Sequence, residues 1–293
     1  MPIWLRAPLL HTGSPEPTGW LHSDWRPQPT VLIGVLALIG LYVIWTGSKN
    51  QDRHGRQIHP VTAWQRILFI AGALSIGIAL SPPLDDWSDH FLMSAHMLQH
   101  LILMMLAVPL LIAGTPAWLV SKLISRGPVR PIMFALTRPV VCLVIANLII
   151  VGWHLPFAYN AVLTSLPVHI TAHLTFMAAA FFTWWPVLSR SPELPGLAPL
   201  PSCLYLFVNT IPGGIVGAFI TFADTGLYDV YPDAPRIWGI GLGVDQQMAG
   251  LMMWVLGGTV YLAWTTVIFL RWAAAEERAD RPAGSRTASP VHS

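Results

Sequence analysis

The sequence predicts an all-α polytopic membrane protein, a bundle of seven transmembrane helices with its N-terminus outside and its C-terminus in the cytoplasm. Three observations carry this. Of 293 residues, 54% are hydrophobic and only 10% charged, against roughly 25% charged residues in a soluble domain. Apolar runs recur from Val31 to Leu270 with no polar block long enough to fold separately. The basic residues collect at alternate ends of those runs.

Crossing a hydrocarbon core takes about 20 mostly apolar residues. Seven segments meet or approach that length: Thr30–Trp45, Trp64–Leu80, Phe91–Ala113, Arg138–Trp153, Val168–Leu188, Cys203–Phe222 and Asp245–Leu270. The first and fourth are short and need flanking residues or a thinner bilayer. The period-two alternation of a membrane barrel is absent. Lys49, Arg53, Arg56, Arg66, Lys122, Arg126, Arg130, Arg138, Arg190, Arg271, Arg278, Arg281 and Arg286 gather on one side, leaving only Arg6, Arg26 and Arg236 on the other. The first side is therefore expected to be cytoplasmic. Residues 1–29 then form an outer N-terminal segment, 30–272 one seven-helix membrane domain, and 273–293 a disordered cytoplasmic tail of charged and small residues. The N-terminus shows no apolar core of the kind a cleaved signal peptide needs, so the first span is expected to do the targeting.

A net charge of +2, with its basic residues scattered, argues against a nucleic-acid partner. Cys142 and Cys203 stand at no motif spacing and read as small buried hydrophobes.

On this topology the intramembrane histidines fall toward the outer side. The third span carries SAHMLQH, with His96 and His100 at i,i+4. The fourth ends in Trp153-His154, and the fifth repeats the spacing with His169 and His173. Residues four apart share one helical face, so each pair has a bidentate metal-ligand spacing. One such pair reads readily as interhelical hydrogen bonding. Two pairs with His154 on the same side point to a site, because ionisable groups within a membrane are costly. Met93 and Met97 on the third span and Met248 and Met252 on the seventh have the same spacing. Imidazole suits copper, zinc and iron, and added thioether shifts the preference toward Cu(I). Met97 and Met248 are thus candidate ligands, although methionine stripes also serve as core filler. Asp245 is a candidate ligand or the N-cap of the seventh span. His90, His11 and His22 are expected to be solvated at the outer rim, with His54 and His59 on the cytoplasmic side. Pro109 is expected to bend the third span, and Asn209–Gly214, with Pro212 inside it, to interrupt the sixth.

Four stretches, SAHMLQHLILMMLAVPLLIAGTP (Ser94 to Pro116), WHLPFAYN (Trp153 to Asn160), HITAHLTFMAAAFFTWWPVL (His169 to Leu188) and DQQMAGLMMWVLGG (Asp245 to Gly258), resemble in order the multi-span CtaG family of cytochrome c oxidase assembly factors. That family is distinct from the single-span copper chaperone sharing its name. The resemblance implies a bacterial inner-membrane protein that helps mature a haem-copper terminal oxidase at the stage of copper insertion. Its partners would be oxidase subunits and periplasmic copper chaperones. His96, His100, His154, His169, His173 and Asp245 match the family's polar positions.

Other functions fit less well. His96-Met97-Leu98-Gln99-His100 lacks the general-base Glu of HExxH, which argues against a zinc peptidase. A haem-binding electron-transfer protein is the main alternative, with histidines on facing helices as axial ligands. Arg236, however, is the only basic residue in the outer loops between spans to meet haem propionates. An ion or proton transporter fits worst, since no chain of acids crosses the membrane.

Overall fold

The computed structural model describes Ser23 and residues 28–51, 55, 57–125, 128–224 and 226–280. His11, His22, His54, Arg6, Arg26 and the tail beyond Asp280 lie outside them.

The helices, in chain order, are α1 (Pro29–Thr46), α2 (Ala63–Ala79), α3 (Leu84–His90), α4 (Met93–Leu101), α5 (Val108–Gly114), α6 (Ala117–Ile124), α7 (Val129–Leu136), α8 (Pro139–Trp153), α9 (Pro156–Thr164), α10 (Leu166–Leu188), α11 (Pro199–Phe222), α12 (Leu242–Leu251) and α13 (Gly257–Asp280). Two π-helical stretches, Ile102–Ala107 and Met252–Leu256, join α4 to α5 and α12 to α13 without a break. Proline opens α1, α8, α9 and α11 at their first position, where its missing N–H costs nothing. Thr62 and Gln65 form a reciprocal capping box on α2. Among the described residues there is no named strand, so the all-α expectation holds.

Five stretches are long and apolar enough to cross a membrane: Pro29–Asn50, Met93–Gly114, Leu166–Leu188, Pro199–Phe222 and Leu242–Asp280. The number rises to seven if each of two bent pairs counts as a span, α2 with α3 (44°) and α7 with α8 (73°). On their own, the 17 residues of α2 and 15 of α8 span only about 26 and 23 Å. Outward faces carry exposed Leu148, Leu174, Phe207 and Ile215, a belt suited to lipid rather than water.

The span α4–π–α5 runs through the middle of the bundle, against α2, α10 and α12. Small residues let the backbones close up. A Cβ on Gly72 of α2 would lie 2.8 Å from the Ala107 carbonyl oxygen, and one on Gly217 of α11 would lie 3.0 Å from that of Gly250. Trp184, Phe176, Cys142 and Leu206 fill the core between α8, α10 and α11.

Several expectations are corrected. The sixth span is not interrupted: α11 runs unbroken through Pro212. A proline withdraws one donor, whereas unwinding would strand many backbone groups in a medium without water. At Pro109 the helix changes pitch. Val108 N donates to Leu103 O, five residues back, and in that register the absent Pro109 N–H would have served Met104 O. Trp184 Nε1 donates to that carbonyl instead, at 2.8 Å. The acidic stretch at 85–90 is no solvated rim. It folds inward as α3, burying Asp85, Asp89 and His90. The last helix also continues through Ala273 to Asp280, where the sequence reading begins a disordered tail, because Ala, Glu and Arg are strong helix formers.

Candidate functional site

Two helices bring the histidine pairs face to face. Along α4, His96 and His100 have ring centroids 4.3 Å apart, and along α10, His169 and His173 have theirs 4.4 Å apart. Across the interface, His100 lies 5.3 Å from His173, and His96 lies 6.4 Å from His169 and 6.5 Å from His173. His154, the C-cap of α8, stands against Phe176, as does His100. All five rings are less than one-tenth exposed.

Hydrogen bonds fix the tautomers of two of these rings. Gln99 Nε2 donates to Ala79 O (2.9 Å) and Asp85 Oδ1 (2.8 Å), so its oxygen must face Ser88. Ser88 Oγ donates its one proton to Gln99 Oε1 (2.8 Å). The contact of 3.1 Å between Ser88 Oγ and His96 Nδ1 therefore has the histidine as donor, and the lone pair of His96 stays on Nε2. Likewise His154 Nδ1 donates to the Ile150 carbonyl at 2.7 Å, leaving Nε2 as an acceptor. His154 Nε2, His173 Nε2 and both ring nitrogens of His100 are buried without a hydrogen-bond partner. His169 Nε2 is 3.8 Å from Asp89 Oδ1, a carboxylate placed to orient the ring.

Met97, His100 and His154 share the wall of a cavity of about 70 Å³. That is room for an ion, whereas a drug-sized ligand needs several hundred Å³. Among the described residues no three His, Cys, Asp or Glu side chains are placed as a ready-made metal centre. The side chains here come as pairs of imidazoles with a thioether nearby. In general, paired imidazoles with a thioether suit soft ions of low coordination number, whereas a structural zinc site closes with four ligands.

Two candidate ligands lie elsewhere. Asp245 is fully buried and caps a different helix from its own: Oδ2 accepts from Met93 N (2.8 Å), and Oδ1 accepts from Ser94 N (3.0 Å) and Ser94 Oγ (2.6 Å). Met248 is 37% exposed on α12. His59 stacks on Trp118 at 5.0 Å, away from the cluster.

Sequence reasoning missed Ser88, Gln99 and Asp89, which orient the rings, and Tyr159, whose ring lies 5.4 Å from His96. Tyr159 stacks on Tyr228 at 3.9 Å, and its hydroxyl meets that of Tyr231 at 3.0 Å. Burial pushes the Tyr228 and Tyr231 phenols well above their usual range, so the loop after α11 closes over the cluster with neutral groups. A signal was present: Asp85, Ser88 and Asp89 stand at i, i+3 and i+4, one face of a helical turn, and Gln99 lies inside SAHMLQH itself.

No curated protein and no solved structure matches the chain. A family model described as cytochrome c oxidase caa3 assembly factor (Caa3_CtaG) matches residues 40–275, which include every helix that contributes to the histidine cluster. The chain therefore belongs to the Caa3_CtaG family of cytochrome c oxidase assembly factors.

Proposed function

We propose that this protein is a non-enzymatic copper-holding factor of a bacterial inner membrane, oriented with its N-terminus outside, which binds Cu(I) at the histidine cluster and passes it to a subunit of a haem-copper oxidase. One observation carries the reading: ring nitrogens of His100, His154 and His173 are buried without hydrogen-bond partners, and the His100 ring lies 5.3 Å from that of His173. Leaving such groups bare costs about 1–3 kcal/mol each, a cost that bound cargo would offset.

His96, oriented by Ser88 and Gln99, presents Nε2 alongside His100, and His173 faces both. Neutral ligands held in pairs permit stepwise exchange: one imidazole can release the ion while its neighbour retains it. Donor and acceptor would approach from the outer side, a periplasmic copper chaperone loading the site and an oxidase subunit emptying it.

The test is metal and haem content of the protein purified in mild detergent, beside a His96→Ala/His100→Ala variant, with oxidase copper measured in cells carrying each. Near-stoichiometric copper, lost in the variant together with oxidase copper, is the expected result. A copper-replete oxidase assembled with both histidine pairs removed would sink the proposal, and a haem spectrum would replace it with the electron-transfer reading.

A further inference from the structure

The cavity that His100 and His154 enter continues past them along a methionine wall. Met104 and Met105 line it from the first π-helical stretch and Met253 from the second, with Met97 above. The sequence repeats the arrangement, Met104-Met105 in ILMMLA and Met252-Met253 in MMWVL, and each pair falls within one of the two π-helical segments of the described chain. π-Helical turns are less favourable than α-helix and occur often at functional sites. Met104 follows His100 by four residues, as His100 follows His96, which puts it roughly 6 Å deeper along the helix.

Met104 is buried in the apolar core with Met105 and Met253 packed against it, as core filling requires. Core filling alone does not explain why these thioethers also line one cavity with imidazole nitrogens that lack partners. We propose that Met104, Met105 and Met253 form a second, deeper station for a soft monovalent cation of the Cu(I) class, which receives the ion from His100 and His154. The inference rests on the copper-holding reading and adds to it a second ligand set. Thioethers are neutral and unprotonated, so transfer from imidazole to sulfur moves neither proton nor electron and keeps the ion's single charge.

The experiment uses the full chain in detergent, loaded anaerobically with Cu(I) from a chromophoric chelator, with affinity read from the competition and ligand type from copper X-ray absorption. Met→Leu exchanges conserve volume and usually fold; Met104→Leu/Met105→Leu/Met253→Leu is compared with wild type, with the His96→Ala/His100→Ala variant and with Met248→Leu as control. The expected result is sulfur scattering in wild type and in Met248→Leu that falls in the triple variant to at most the share Met97 can supply, with an affinity loss of tenfold or more. Should the triple variant not fold, Met104→Leu and Met253→Leu singly carry the same readout. Wild-type affinity and unchanged scattering in the methionine variants would overturn the proposal while the histidine reading stands. Sulfur-bound copper persisting in the histidine variant would support this station and count against the histidines as the primary site. Wild-type protein that takes up no Cu(I) would overturn both.

Discussion

Ser88 Oγ stands between His96 Nδ1 at 3.1 Å and Gln99 Oε1 at 2.8 Å, and its single proton belongs to the glutamine. The serine thereby acts on the histidine as an acceptor and decides that the lone pair of His96 sits on Nε2. Orienting partners of this kind are typically worth 10–100-fold in metal affinity. Ser88→Ala is expected to weaken Cu(I) binding by that factor and to mix the Nδ1–H and Nε2–H tautomers of His96, visible in nitrogen-15 NMR of labelled histidine. Ser88→Thr keeps the hydroxyl and should restore the single tautomer. A Ser88→Ala protein with wild-type affinity and one tautomer would show the relay to be idle.

Asp245 offers a clean separation of structure from ligation. Its carboxylate satisfies two backbone N–H groups at the start of α4 and the Ser94 hydroxyl. Asp245→Ala strands buried donors at about 1–3 kcal/mol each and should lower the thermal midpoint clearly, while copper per folded molecule stays at the wild-type level. Copper lost with no loss of thermal stability would instead make Asp245 a ligand.

The Trp184 indole and Pro109 are coupled through one carbonyl, that of Met104. Trp184→Phe removes its donor and should destabilise by about 1–3 kcal/mol. Pro109→Ala supplies a backbone N–H in the same register, so the double variant should lose less than the sum of the singles. A double-mutant cycle on thermal unfolding measures that coupling; strict additivity would mean that the indole serves packing alone.

Away from the membrane-spanning segments, the Glu193 carboxyl is held below the usual carboxylate range, first by the Ser121 hydroxyl and then by its own backbone N–H and Ser191. A depressed folded value means that the link stabilises above the ordinary glutamate value near 4.3 and is lost as pH falls through the folded one. Ser121→Ala should raise the Glu193 titration midpoint, followed by carbon-13 NMR of labelled glutamate; an unmoved midpoint would show the hydroxyl to be irrelevant.

The helices and the pairing of His96 with His100 and of His169 with His173 on single helical faces were legible in the sequence because both follow from local rules, apolar length and i,i+4 spacing. What escaped depends on partners far away in the chain. Asp85, Ser88 and Asp89 look like a solvated acidic loop until Gln99 and His169 are brought to them. Asp245 looks like a cap for its own helix, yet its donors lie on α4. Pro109 and Pro212 share one residue type and have different outcomes, a π-helical approach at the first and unbroken helix at the second, since the neighbours decide how a missing donor is absorbed.

The cap that Asp245 gives to α4 also bears on biogenesis. Its partner Met93 precedes it by 152 residues, so at synthesis rates of about 5–20 residues per second the ribosome needs roughly 8–30 s to make both ends of this contact. Until the last long helix is in the membrane, the helix bearing His96 and His100 begins with uncapped amides. A truncated or stalled chain thus carries this helix without its cap, and the stability that the contact supplies arrives only when the far end of the chain has been made.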